Sequence, residues 1–154
     1  MNDQCAFLAS RVVGTIRPDV EQKAADLSAK FPGLKAAELR LRLWVVETTL
    51  VLLAGESSTA DTARLERFFG AFWADVSMHL LSDFPDHDVR EEFDAGMDRL
   101  TAEIASDREK LPHEDASRAM GKRIATFLEV PEGEPLGYGY KLITASKLLD
   151  HLPE

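Results

Sequence analysis

The chain has 154 residues, 45% apolar and 29% charged, which is enough for one globular domain with a hydrophobic core and too polar for a membrane protein. Its 18 basic and 27 acidic residues leave a formal net charge of −9, which argues against nucleic-acid backbones and anionic membrane surfaces as partners. The one cysteine, Cys5, rules out an internal disulfide and suits a reducing compartment; in its apolar setting it reads as a small buried hydrophobe.

Periodicity reads as helix almost throughout. Phe7, Leu8, Val12, Val13 and Ile16 form a short amphipathic run that Pro18 is expected to stop or bend. Val20, Ala24, Leu27 and Phe31 make a second run, closed by Pro32-Gly33. A third helix runs from about 34 to 54, with Gly55 as its C-cap candidate. Ser57-Ser58-Thr59 offers N-caps for the fourth, and Ser58 with Asp61 resembles a capping box. That fourth helix carries Leu65, Phe68, Phe69, Phe72, Trp73, Val76 and Leu80 on one stripe, and Phe84-Pro85 breaks it. Val89, Phe93, Met97, Leu100 and Ile104 define a fifth helix, with Asp86-His87-Asp88 read as its capping segment. Pro112 opens a sixth with the apolar face Ala116, Met120, Ile124, Phe127 and Leu128. After a proline- and glycine-rich loop over 130–139, a last helix takes Leu142, Ala145, Leu149 and Leu152. No run shows convincing strand alternation between turn signals, and no repeat or composition break marks a second domain. The expectation is a single all-α domain over 1–154, six or seven helices around the apolar helix at 34–54.

That central helix is apolar all round: Leu41, Trp44, Val45, Val51 and Leu52 on one side, Leu39, Leu43, Val46, Leu50 and Leu53 on the other. Such a helix must be covered on more than one face. Two coverings stand open, the other helices of the same chain or a second copy in a homodimer. Its most apolar segment, Leu43 to Gly55, is interrupted by Glu47 and is far short of the ~20 residues that span a bilayer. The N-terminus lacks the basic start and long apolar stretch of a signal peptide. A soluble cytoplasmic protein is expected.

Glu47 interrupts this rod, with Leu43, Trp44, Leu50 and Val51 three and four residues away. A carboxylate in such surroundings must be paired, hydrogen-bonded or protonated. It is therefore a candidate acid, base or metal ligand, or the partner of Arg40, Arg42 or another basic side chain. Asp75, His79 and Asp83 stand four residues apart on the fourth helix, a pattern that places up to three N/O metal ligands on one face. The plainer reading is a histidine at the core edge hydrogen-bonded to one aspartate.

Familiar catalytic patterns are missing. No Glu-x-x-His occurs for a di-iron bundle, and one cysteine gives no zinc spacing. No Gly-Lys-Ser/Thr follows a glycine-rich loop, and no Gly-x-Ser-x-Gly elbow is present. The pair His87-Asp88 lacks the distant upstream histidine that His-Asp phosphohydrolases need. Residues 65–80 (LERFFGAFWADVSMHL) are similar to the aromatic, aspartate-containing helix of a respiratory-complex assembly chaperone family. The likeness covers about a tenth of the chain, carries no defining motif, and implies no function.

Between Asp83 and Asp115 stand 12 acidic and 4 basic residues, a local net of −8. Glu91, Glu92, Asp94 and Asp98 form the densest part. Phe69 and Trp73 extend the aromatic cluster beyond one stripe, and Tyr138 and Tyr140 are amphipathic rings of the interface kind. Together these point to a non-enzymatic protein-binding module, of inhibitor, immunity, adaptor or assembly-factor type, with no cofactor. It would steer a basic protein by the acidic segment and anchor it by apolar side chains. The alternatives are a helical metal binder or enzyme using Asp75, His79, Asp83 and Glu47, and a ligand-sensing bundle with an aromatic pocket.

Overall fold

Leu39, Leu43, Trp44, Val46, Leu50 and Leu53 point to opposite sides of one helix, and all six are buried in the computed structural model. The structure describes residues 3–153, apart from the side chain of His87. Among them lie six helices: α1 (Gln4–Lys30), α2 (Ala36–Glu56), α3 (Thr62–Asp83), α4 (His87–Lys110), α5 (His113–Leu128) and α6 (Tyr138–Asp150). The apolar rod is α2, and α1, α4, α5 and α6 of the same chain all pack on it. Its two apolar sides are thus covered without a second copy, which removes α2 as a dimer seam. Side chains from all six helices join a single buried cluster. Among the described residues no helix is long and apolar enough to cross a membrane.

The two runs expected on either side of Pro18 are one helix. α1 continues through the proline for 27 residues. A proline inside a helix removes a backbone donor and costs ~3 kcal/mol. Here Val13, Ile16 and Val20 are buried on the opposite side of α1. At ~1.5–3 kcal/mol for each buried aliphatic side chain, their packing outweighs the break. The residue four positions earlier is Gly14, exposed with open space around it, so its carbonyl can tilt toward water.

Two boundaries also differ from expectation. Gly55 lies inside α2 rather than capping it, and the C-cap is Ser57. Gly55 is needed for close packing: a Cβ there would stand 2.5 Å from the ring of Phe69 on α3. The N-cap of α3 is Asp61, whose carboxylate accepts from the Arg64 amide at 2.9 Å. Ser58 instead fastens the loop, donating to the Leu149 carbonyl at 3.1 Å and accepting from the Ala60 amide. On α3 and α4 periodicity and structure agree: Phe68, Phe72, Val76 and Leu80 are the buried stripe of α3, and Phe93, Met97, Leu100 and Ile104 that of α4, whereas Phe7, read with the apolar run of α1, is 65% exposed. Asp86 caps α4 by accepting from the Asp88 amide.

α1 and α6 run antiparallel. Cys5 lies against the Pro153 carbonyl at one end, at 3.3 Å, and Asp19 meets Lys141 at the other. Between the two helices is a groove floored by α2 and α3.

Candidate functional site

The one buried charged residue among the described side chains is Glu47, 5% exposed in the middle of α2. Neither Arg40 nor Arg42 reaches it; they pair with Glu21 and Glu129 at 3.6 and 2.9 Å. Its partners are lysines. The Lys141 ammonium, in the first turn of α6, donates both to Glu47 Oε1 and to Asp19 Oδ2, the latter at 2.7 Å. Lys23, one turn beyond Asp19 on α1, places Nζ 3.9 Å from Glu47 Oε1. The same Nζ sits 3.9 Å from the centre of the Tyr138 ring, a cation–π contact. Three helices thus converge on a cluster of two acids and two ammonium groups.

Donor satisfaction within the cluster is uneven. Lys141 bridges both carboxylates. Lys23 Nζ and the Tyr138 hydroxyl are buried and have no hydrogen-bond partner among the described residues. Burial pushes the Glu47 carboxyl above its ordinary value, with the two lysines pulling it back. Burial lowers Lys23 from 10.5 to about 8, against the opposing pull of Glu47. Lys141, though also partly desolvated, is held above its ordinary value by Glu47 and Asp19. The Tyr138 hydroxyl is raised by burial first and then by the two neighbouring carboxylates.

Glu47 and Lys141 lie at one end of the α1–α6 groove, a cavity of about 510 Å³. Leu8, Val12 and Ile16 form its α1 wall, Ala145 and Leu148 its α6 wall, and Val51 and Phe68 its floor. Arg11 stands on the rim, and no described side chain pairs with it. The rim also carries Tyr140, 77% exposed.

The Asp75, His79 and Asp83 trio is not drawn together. His79 stacks on Trp44 with ring centres 5.8 Å apart, and Asp83 makes a bidentate pair with Arg17 at 2.7 and 3.1 Å. Among the described residues no three His, Cys, Asp or Glu side chains are grouped to hold a metal.

The expected partner-binding residues separate into four environments. Glu91, Asp94 and Asp98 follow one another along a single exposed face of α4, and Asp94 is paired with Arg90 at 3.3 Å. Glu92 turns instead toward a shallow groove between α4, α2 and α5, beside Arg42 and Arg99. Phe69 and Trp73 are half-buried in edge-to-face contacts with Phe72, so they complete the aromatic core rather than project from it. Tyr138 is likewise buried in the core; of the two tyrosines only Tyr140 faces water. Among the exposed apolar side chains that sequence reading passed over are Met78 and Leu81, 66% and 69% exposed on the outer side of α3. Ser77, beside Met78, accepts a hydrogen bond from Arg90 at 3.1 Å, which sets this apolar patch next to the acidic face of α4.

The bundle places the chain in the class of all-α proteins. Compared with protein-family models, curated proteins and solved structures, it finds no match.

Proposed function

We propose that this is a non-enzymatic protein-binding module of the cytoplasm, whose acidic α4 face receives a basic partner protein. The observation that carries the reading is the exposed row Glu91, Asp94 and Asp98 beside the exposed apolar pair Met78 and Leu81. A charged field accelerates encounter, and a neighbouring apolar patch supplies the area whose burial holds the complex. Apart from the pairing of Asp94 with Arg90, neither feature is used inside the fold: the α4 core stripe is Phe93, Met97, Leu100 and Ile104, on the other side of the helix. Inhibitors, adaptors and assembly factors all work by such a face without chemistry of their own.

The test is cross-linking of the full chain in cell extract, comparing wild type with a Glu91→Lys, Asp94→Lys, Asp98→Lys variant and a Met78→Ser, Leu81→Ser variant. Partners cross-linked to α4 in the wild type should be lost from both variants while circular dichroism stays unchanged. Recovery of the same partners by both variants overturns the reading.

A further inference from the structure

Only two side chains of α6, Tyr138 and Leu149, are fully buried, the fewest of the six helices among the described residues. The helix rests on α2 and scarcely packs against α5. A cavity of about 490 Å³, lined by Met120, Ile124 and Leu142, separates it from α5 on one flank. The cavity of about 510 Å³ against α1 runs along the other. A helix standing between two open grooves gains dispersion contacts on one side only.

Polar contacts supply much of the remaining hold, and they lie at the two ends. At the start Lys141 donates to Glu47 and Asp19. At the finish the Ser58 hydroxyl donates to the Leu149 carbonyl at 3.1 Å, and the Thr59 amide to the Asp150 carboxylate at 2.9 Å. These partners belong to α1, α2 and the turn after α2. The loop that leads into α6 is fastened separately, by Lys30 to Glu134 at 2.8 Å. Between that fastening and the helix stands Gly137, at φ 74° in the left-handed region, where glycine turns without strain. The chain thus has a pivot just ahead of a helix whose ties are few and all on other elements.

We propose that α6 is a strap that lifts off α2 as one unit, pivoting near Gly137, while α1–α5 stay folded. Lifting joins the two flanking grooves into one trench over α2 and uncovers Glu47, which keeps only Lys23 beside it. Segments with few buried contacts open in this cooperative, sub-global way. The strap uses other elements than the acidic face of α4 and stands or falls independently of it.

Hydrogen exchange of the full chain, read amide by amide, tests the proposal. Amides 142–150 should share one opening, about 100-fold or more as frequent as that of the slowest α2 amides and only weakly dependent on urea. Asp150→Ala cuts the tie to Thr59 and should speed α6 exchange severalfold. Ile104→Val trims the core stripe of α4, whose packing persists with α6 lifted. It should speed α2 exchange severalfold and leave α6 rates unmoved. Equal protection of α6 and α2, rates that climb residue by residue toward Asp150 as in fraying, α6 exchange unaltered by Asp150→Ala, or α6 exchange quickened by Ile104→Val each overturns the proposal.

Discussion

Glu47 on α2 and Lys141 on α6, 94 residues apart in sequence, form the ion pair through which the last described helix is tied to the central rod. Removing one member of a buried pair strands the other charge and costs about 3–5 kcal/mol, whereas replacing both with apolar groups is often close to neutral. Glu47→Gln and Lys141→Met are each expected to lower unfolding free energy by about 3 kcal/mol in urea titrations. The double variant Glu47→Leu, Lys141→Met should recover at least half of the summed loss. Simple additivity of the two single losses would show that the residues do not act as a pair.

Lys23 makes stability depend on pH in a direction opposite to the usual lysine. Its folded pKa, about 8, lies below the unfolded value of 10.5, so between these values the unfolded chain holds a proton that the folded chain has released. Stability attributable to this group therefore rises with pH from about 8 and stops rising near 10.5. Lys141 and Tyr138 are both raised and work against it only at the upper end of the window. The difference in melting temperature between wild type and Lys23→Met should thus move in favour of the wild type from pH 8 to pH 10. A flat difference across that range would show that the ammonium is not desolvated.

Gly55 and Gly70 are both helical glycines, yet alanine should act on them with opposite signs. A Cβ at Gly55 meets the Phe69 ring at 2.5 Å, and that ring is wedged edge-on against Phe68 and Phe72. Gly55→Ala should cost about 1–3 kcal/mol through overpacking. Gly70 on α3 has open space around it, so Gly70→Ala should gain about 0.5–1 kcal/mol from helix propensity. Thermal melts of the two variants check both signs.

Pro18 is the one proline inside a described helix, and α1 is continuous across it. Pro18→Ala restores a donor to the Gly14 carbonyl. Part of that gain is offset by the freer unfolded chain. A net increase of about 1–2 kcal/mol is expected in urea titrations. A loss of stability would show that the proline ring is needed where it stands.

Most of the helices were legible because their core stripes are regular. Phe68, Phe72, Val76 and Leu80, or Phe93, Met97, Leu100 and Ile104, repeat at the helical period, and each is buried. Pro18 misled because a local rule was outvoted by packing on the far side of α1. Glu47 announced itself as an acid on an apolar face, but its partners did not. Lys23 and Lys141 were still readable in part, since each stands on an apolar stripe: Val20, Lys23 and Leu27 on α1, and Lys141, Ala145 and Leu148 on α6. A lysine at a core position asks for an acid just as Glu47 asks for a base. Which lysine meets which acid is decided by how α1 and α6 each pack on α2, which no local pattern encodes. Met78 and Leu81 escaped notice for the converse reason, being apolar residues off the buried stripe of α3.

The converging charges also set a schedule for synthesis on the ribosome. The codon for Glu47 is read 94 residues before that for Lys141, on the order of 5–20 s earlier at ordinary elongation rates. During that interval the nascent rod has Lys23 as its only cation of this cluster, and the side later covered by α6 stays open. Docking of α6 then seals an aliphatic face and neutralises an acid in one event, so a stalled or truncated chain is the species for which chaperones would compete.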